Sequence, residues 1–274
     1  MADMRYEHLP NGERIPVLGY GTWRLGGGMA PNYSRDREIV DLLHEAIELG
    51  YTHIDTAEIY GGGHTEELIG RAIQHYDRQD LFITTKVWHT NLRLQDVLDS
   101  LKGSLRRLSS DYVDLYLIHW PNSGIPMEET FEALNELIDQ GQIRFVGVSN
   151  FDLEQLTRAR ALSAAPIATN QVPYNLHNRR YVLNGVLKYC QENDILLTAY
   201  SPIDRGVILD DPEVSKIANK YQATSAQVAL NWLIRQSEVI AIPMTSNPKH
   251  LRDNIGALEI ELEEEDVKRL DDIG

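Results

Sequence analysis

The chain alternates short apolar runs with longer stretches in which apolar positions recur every three or four residues. Runs of the first kind fall near residues 16 to 20, 52 to 55, 81 to 86, 113 to 119, 143 to 149, 167 to 171, 195 to 200 and 239 to 242. Their length and composition suit buried strands, whereas "RDREIVDLLHEAIELG" and "SAQVALNWLIRQ" have the spacing of helices packed on one face. Strands alternating with helices form parallel sheets, and eight such strands close on themselves, so the pattern predicts a (β/α)8 TIM barrel. Asn11-Gly12, between "RYEHL" and "RIPVLGYG", predicts an N-terminal β-hairpin. Ser34 and Asp152 are the expected N-caps of the helices after them, and Gly50 and Gly141 the expected helix stops.

The length of 274 residues suits one barrel of about 250 residues, and with no linker, repeat or low-complexity tract a single domain over 1–274 is expected. Lys and Arg number 26 against 41 Asp and Glu, a formal net charge of −15, which argues against nucleic acid or an anionic membrane as partner. The single cysteine, Cys190, rules out an internal disulfide and suits a reducing compartment. The opening "MADMRYEHLPNGERIP" has no basic and then apolar segment, and no run of about 18 apolar residues follows, so a cytoplasmic location is expected. Nothing in the pattern sets an oligomeric state.

Polar residues end several of the apolar runs. With a side-chain period of two, His53 shares a face with Asp55, Phe82 and Thr84 with Lys86, and Val113, Leu115 and Leu117 with His119. Barrel enzymes carry their chemistry at the C-terminal ends of strands, and here successive ends deliver Asp55, Lys86 and His119, with Tyr60 just past the first. Singly, each has an ordinary explanation as a cap, a solvated amine or a satisfied core histidine. Together they argue for function, because burying a charge without a partner is costly.

The chemistry open to the four is proton transfer to a carbonyl oxygen, with the phenol of Tyr60 as acid. A tyrosine titrates near ~10, so reaching neutrality requires roughly 3 units, which a close cation can supply; Lys86 is the one available. Asp55 would hold Lys86 by a salt bridge, and His119 would hydrogen-bond the substrate oxygen. His53, Asp55, His119 and His64 also raise a metal-assisted hydrolase, but the ligand set is incomplete and Lys86 would repel a divalent ion, so no metal is expected.

"GYGTW" (19 to 23), "GYTHIDTAEIYG" (50 to 61), "TKVW" (85 to 88), "DLYLIHWP" (114 to 121), "GVSNF" (147 to 151), "NQVPYN" (170 to 175) and "YSPI" (200 to 203) follow one another along nearly the whole chain. In this order they resemble the signatures of the aldo-keto reductase superfamily, and in particular its short-loop, prokaryotic-type members. The resemblance implies a barrel reductase of aldehydes and ketones, run reversibly by hydride transfer from NADP(H) or NAD(H), with Asp55, Tyr60, Lys86 and His119 in the tetrad positions. It also implies a cofactor bound without a Rossmann domain, and Gly19-Tyr20-Gly21 indeed continues to Arg24 without forming G-x-G-x-x-G.

By the same resemblance, Ser149, Asn150 and Gln171 hold the cofactor's carboxamide, Tyr200 stacks on the nicotinamide, and Ser201 and Arg205 lie at the pyrophosphate. Trp23, Trp88 and Trp120 line the pocket for a small carbonyl substrate. In "IPMTSNPKHLRDN" the family's usual lysine and arginine for an adenosine 2'-phosphate are replaced by Met244 and His250, while Thr245 and Asn254 keep polar positions and Lys249 or Arg252 could compensate. Use of both cofactors is therefore expected. The short loop "WPNSGIPMEET" and the end of the chain at "EDVKRLDDIG" imply an open, broadly accepting site. The competing reading is a nucleotide-binding regulatory subunit with little activity.

Overall fold

The protein is described by a computed structural model over residues 3–273. The strands are β1 (Tyr6–His8), β2 (Arg14–Pro16), β3 (Tyr20–Gly21), β4 (His53–Asp55), β5 (Phe82–Val87), β6 (Val113–Ile118), β7 (Ile143–Ser149), β8 (Ile167–Pro173), β9 (Leu196–Tyr200) and β10 (Val239–Ala241). The α-helices are α1 (Asp36–Glu48), α2 (His64–Ile73), α3 (Leu94–Leu108), α4 (Met127–Asp139), α5 (Leu153–Leu162), α6 (Arg180–Leu183), α7 (Val186–Gln191), α8 (Pro212–Lys220), α9 (Ser225–Ile234), α10 (Pro248–Ile255) and α11 (Glu264–Asp271).

Strands β3 to β10 pair in chain order, all in parallel. The ring closes where Leu18 pairs with Ala241, as the Ala241 amide donates to the Val17 carbonyl at 2.8 Å and the Gly19 amide to that of Ala241 at 2.9 Å. Closure abolishes the sheet edges and fills the interior with side chains. The expected hairpin is present as β1 and β2, paired antiparallel around a turn in which Gly12 takes a φ of 85°.

Two expectations are corrected. The run 16 to 20 is not one strand: Pro16 ends β2, residues 17 to 19 carry the closure bonds, and regular pairing with β4 is confined to Tyr20 and Gly21. A side chain at Gly19 would press on the buried His53 ring, its Cβ 2.6 Å from Nδ1, so the bare backbone there is a packing requirement. Ser34 does not cap α1. Its amide and hydroxyl both donate to Asn32 Oδ1, at 3.1 and 2.8 Å, which holds it in a turn before the helix, and Arg35 takes the cap position without a side-chain bond. Asp152 does cap α5, in a capping box with Gln155, and Gly50 and Gly141 follow their helices at φ 99° and 68°.

At the N-terminal end of the barrel the buried carboxylate of Asp114, on β6, accepts from the Ile83 amide at 2.8 Å, Arg78 Nη2 at 2.7 Å and Arg144 Nη1 at 2.6 Å. Arg144 also reaches Glu13, tying the hairpin across that end. Among the described residues no helix is long and apolar enough to cross a membrane.

Candidate active site

The opposite end of the barrel gathers the four strand-end residues singled out above. Lys86, the fifth residue of β5, is fully buried; its Nζ donates to Asp55 Oδ1 at 2.6 Å and to the Thr56 carbonyl at 2.7 Å. Asp55, last in β4, also accepts from Gln171 Nε2 at 2.7 Å. Lys86 Nζ lies 5.2 Å from the centre of the Tyr60 ring, and the rings of Tyr60 and His119 meet edge to face at 5.8 Å. Parallel register does this: β4, β5 and β6 end side by side, so their last inward positions share one floor.

Tyr60 is placed by the three glycines after it. Gly61, Gly62 and Gly63 have φ values of 60°, 61° and 98°, a left-handed run that side chains with a Cβ resist. The turn lies against the loop joining β3 to α1: the Gly61 amide donates to the Gly28 carbonyl at 2.7 Å, and a Cβ on Gly61 would stand 2.5 Å from the Gly26 carbonyl oxygen. This approach brings the Trp23 ring to 4.9 Å from that of Tyr60. Trp88, edge-on to His119 at 5.1 Å, is fixed through its amide, which donates to Glu58 Oε1 at 2.6 Å. Trp120 stands at the rim, 42% exposed.

Electrostatics corrects one expectation. Burial, reinforced by the charge of Asp55, holds the Tyr60 phenol well above its ordinary value, so Lys86 does not draw it toward neutrality. The reason is geometric, since the ammonium is already matched by Asp55 at 2.6 Å and is itself lowered by burial. Tyr60 thus keeps its proton across the neutral range. Burial, then the charges of Lys86 and His89, push His119 down to about 2, so its ring is neutral, and its Nδ1 is buried without a partner among the described residues.

The residues expected at a nicotinamide are brought together beside the four. Ser149 Oγ donates to the Gln171 carbonyl at 2.8 Å, Asn150 Nδ2 donates to Ser149 Oγ at 2.9 Å and to the His119 carbonyl at 3.1 Å, and Tyr200 Oη donates to Asn150 Oδ1 at 2.9 Å. Their polar groups thus pair mainly with one another, and Gln171 is tied to Asp55. Gln171 Oε1 accepts no hydrogen bond among the described residues, and an open amide oxygen together with the Tyr200 aromatic plane suits a flat carboxamide-bearing ring. Ser201 is half-buried with φ 49°, and its carbonyl accepts from Asn175 Nδ2 at 2.9 Å, while Arg205 is exposed. Asp204 is engaged by His177 Nδ1 at 3.0 Å.

The adenosine-end candidates lie on and before α10. Met244 and His250 are exposed, Thr245 is half-buried with its carbonyl accepting from Tyr20 Oη at 2.7 Å, and Asn254 is buried. Arg252 is exposed and pairs with Glu45, whereas Lys249 is exposed without an ion pair among the described residues. Cations that the sequence pattern does not single out are Arg35 and Arg37, which line a groove of about 440 Å³ with Ser246, but beside Glu38, Asp41 and Glu45. Nor does it single out Glu66, buried against Thr85 Oγ1 at 2.6 Å and Arg107 Nε at 2.7 Å, or the carboxylates around His64. Acids in "HTEELIG" look like ordinary first-turn residues of a helix, and only packing distinguishes them.

The structure thus places a carboxylate, an ammonium, a phenol and an imidazole at the strand ends of a closed parallel barrel. A model of the Aldo/keto reductase family matches residues 17–274, and the chain belongs to that family. It is 37% identical over 263 residues to methylglyoxal reductase YeaE of Escherichia coli (strain K12), covering 94% of this chain and 90% of that protein. Among solved structures, the thermostable aldo-keto reductase Tm1743, solved with the inhibitor epalrestat, is 51% identical at a TM-score of 0.97, covering 99% of this chain and all of that one. An aldo-keto reductase from Klebsiella pneumoniae in complex with NADP and acetate is 33% identical at a TM-score of 0.90, covering 98% and 95%. Among the described residues no group of three or more His, Cys, Asp or Glu is arranged to hold a metal ion.

Proposed function

We propose that this protein, acting as one barrel domain over residues 1–274, is an NAD(P)H-dependent carbonyl reductase that turns aldehydes and ketones into alcohols reversibly. The observation that carries the reading is the convergence of Tyr60, the buried Asp55–Lys86 pair and a neutral His119 at one strand-end floor. The nicotinamide, when bound, supplies the hydride for the carbonyl carbon. Ser149, Asn150 and Gln171 would hold its carboxamide, Tyr200 its ring face, Ser201 and Arg205 the pyrophosphate, and Met244, Thr245, His250 and Asn254 the adenosine end. The NADP and NADPH complexes of the Klebsiella pneumoniae enzymes support that choice of cofactor class.

Tyr60, holding its proton at neutral pH, donates it to the carbonyl oxygen as negative charge develops there. Lys86 has three N–H groups and gives two of them to Asp55 and Thr56, so one remains to stabilise the phenolate left behind. His119, being neutral, offers one donor and no charge, which suits orientation of the substrate oxygen rather than protonation. Trp23 and Trp88 wall the pocket, with Trp120 at its rim, and aromatic walls favour small carbonyl compounds without binding one tightly. The test is loss of reduced-nicotinamide absorbance with methylglyoxal and a panel of aldehydes, using both cofactors, with Tyr60→Phe as control. Turnover in the wild type that falls about 10²-fold or more in the variant, with cofactor affinity kept, is expected. Equal turnover in the two proteins would remove Tyr60 from the role.

A further inference from the structure

His64, the first residue of α2, is 3% exposed, and both of its ring nitrogens face carboxylates: Nε2 lies 2.8 Å from Asp36 Oδ1 on α1, and Nδ1 lies 2.9 Å from Glu67 Oε2 on α2. Ionised carboxylates only accept hydrogen bonds, so both contacts are satisfied only when both nitrogens carry protons. A neutral imidazole would satisfy one and turn a lone pair toward the other. The remaining surroundings fit a cation. Tyr33 covers the ring at 4.3 Å, Asp36 is also bound by Arg71 Nη1 at 3.1 Å, and Arg107 of α3 faces Gly63 with its own charge taken up by buried Glu66. Burial acts to raise Asp36, but its bonds to His64 and Arg71 outweigh this and hold it below its ordinary value.

The position gives the contact a consequence. His64 directly follows the three left-handed glycines that carry Tyr60, and glycines have no side chains with which to hold themselves. On one side the turn leans on the β3–α1 loop, where the Gly26 amide donates to Thr65 Oγ1 at 3.2 Å; on the other the His64 clamp is what ties it to α1. We infer that His64 is a positioning residue for Tyr60: its ring bridges Asp36 of α1 and Glu67 of α2 and so fixes the glycine turn presenting the phenol. The inference rests on the proposed role of Tyr60.

The experiment measures kcat and KM for carbonyl reduction by wild type, His64→Gln and Asp36→Asn, with cofactor affinity followed by tryptophan fluorescence and stability by melting temperature. His64→Gln should run about tenfold slower, with KM and cofactor affinity within about twofold, as misorientation of one acid requires. Asp36→Asn, which weakens one side of the bridge, should lower kcat by about threefold in the same pattern. Unchanged kcat in both variants, with only the melting temperature altered, would overturn the inference. A second readout needs no turnover. Glycine-selective 15N spectra of the free enzyme should show the Gly61–Gly63 amides displaced in His64→Gln relative to wild type, with Gly185 and Gly206 unmoved. That result beside a wild type that reduces no carbonyl would leave the clamp standing and refute the reductase reading; Gly61–Gly63 signals identical in the two proteins would refute the clamp itself.

Discussion

Asp55 and Asp114 are both buried strand carboxylates paired with cations, at opposite ends of one barrel, and they do different work. Asp114 accepts from two guanidinium groups and a backbone amide, and Arg78 and Arg144 reach solvent on their outer sides. Its cations are relieved of full desolvation, and Arg78, although it lies over the Tyr112 ring at 4.2 Å, spends its donors on Asp114, Ser110 and the Leu81 and Tyr112 carbonyls. Asp55 is paired with a lysine that has no exposure, so desolvation is borne in full by both partners. That ammonium then keeps one proton uncommitted beside a phenol and an imidazole. A buried pair reads as structural when its donors are used up and its far side is wet, and as functional when a donor is left over toward a group that could react.

Replacing each partnership separates the two most sharply. Lys86→Met should lower kcat for carbonyl reduction by about 10²- to 10⁴-fold, because the phenolate loses its stabilising charge and Asp55 keeps only Gln171. Its folding should suffer as well, so kcat is to be compared at equal folded fraction. Retention of more than a tenth of wild-type kcat would make the Asp55–Lys86 pair the equivalent of the Asp114 cluster and dissolve the contrast. Asp114→Asn should instead cost about 3 kcal/mol of unfolding free energy, the low end for a broken buried pair because both arginines reach water. Urea denaturation measures this, and the refolded variant should reduce carbonyls at the wild-type rate per folded molecule.

Much of this contrast is legible in the amino-acid sequence. Side-chain alternation places Asp55, Lys86 and His119 on inward faces, and parallel register does the rest, because adjacent strands ending together need no long-range information beyond the order of elements. Less legible is whatever depends on who meets whom outside the sheet. Arg252 and Lys249 look alike in "PKHLRDN", yet Glu45 from α1 takes up only the first. Ser34 has an ideal residue type for a cap and is diverted by Asn32 two positions earlier. A cation beside a phenol is expected to lower it, and the burial that makes the site dry outweighs that pull at Tyr60. Desolvation is a sum over all neighbours, which one sequence does not display.

Acid sharpens the comparison by a smaller amount. Both carboxylate clusters carry cations, and two imidazoles in and above the barrel are kept neutral, His119 at the catalytic end at about 2 and His53, at the start of β4 and held mainly by burial, at about 4. A histidine whose folded value lies below the ordinary value of about 6.5 is protonated first in the unfolded chain. Stability is therefore complete above about 6.5 and declines as pH falls toward the folded values. His119→Gln should flatten part of this decline, narrowing the difference in melting temperature between pH 7 and pH 4 by about 2 to 4 °C. An unchanged slope would mean that His119 takes up its proton in the folded protein, and its role as a neutral donor would fall with it.

The smallest effect is expected where neither kind of buried pair exists. The adenosine-end candidates Met244 and His250 are exposed, and Arg37, which lines the neighbouring groove, shares it with Glu38, Asp41 and Glu45. A phosphate there would meet weakly placed cations and several acids, so discrimination between NADPH and NADH should be modest in the wild type. Charge-assisted contacts contribute roughly 1.5 to 3 kcal/mol each when well formed, but solvent at these exposed positions should reduce them to about 1 kcal/mol. Met244→Lys with His250→Arg should then raise the preference for the 2'-phosphorylated cofactor by about 10- to 30-fold, through affinity and not through kcat, and added salt should erode the gain. Matched fluorescence titrations of NADPH and NADH, with 2'-AMP and 5'-AMP as fragments that report the adenosine end alone, measure it. Strong wild-type selectivity that the double substitution leaves untouched would assign phosphate recognition to other residues, with Arg37 and Lys249 the first to replace.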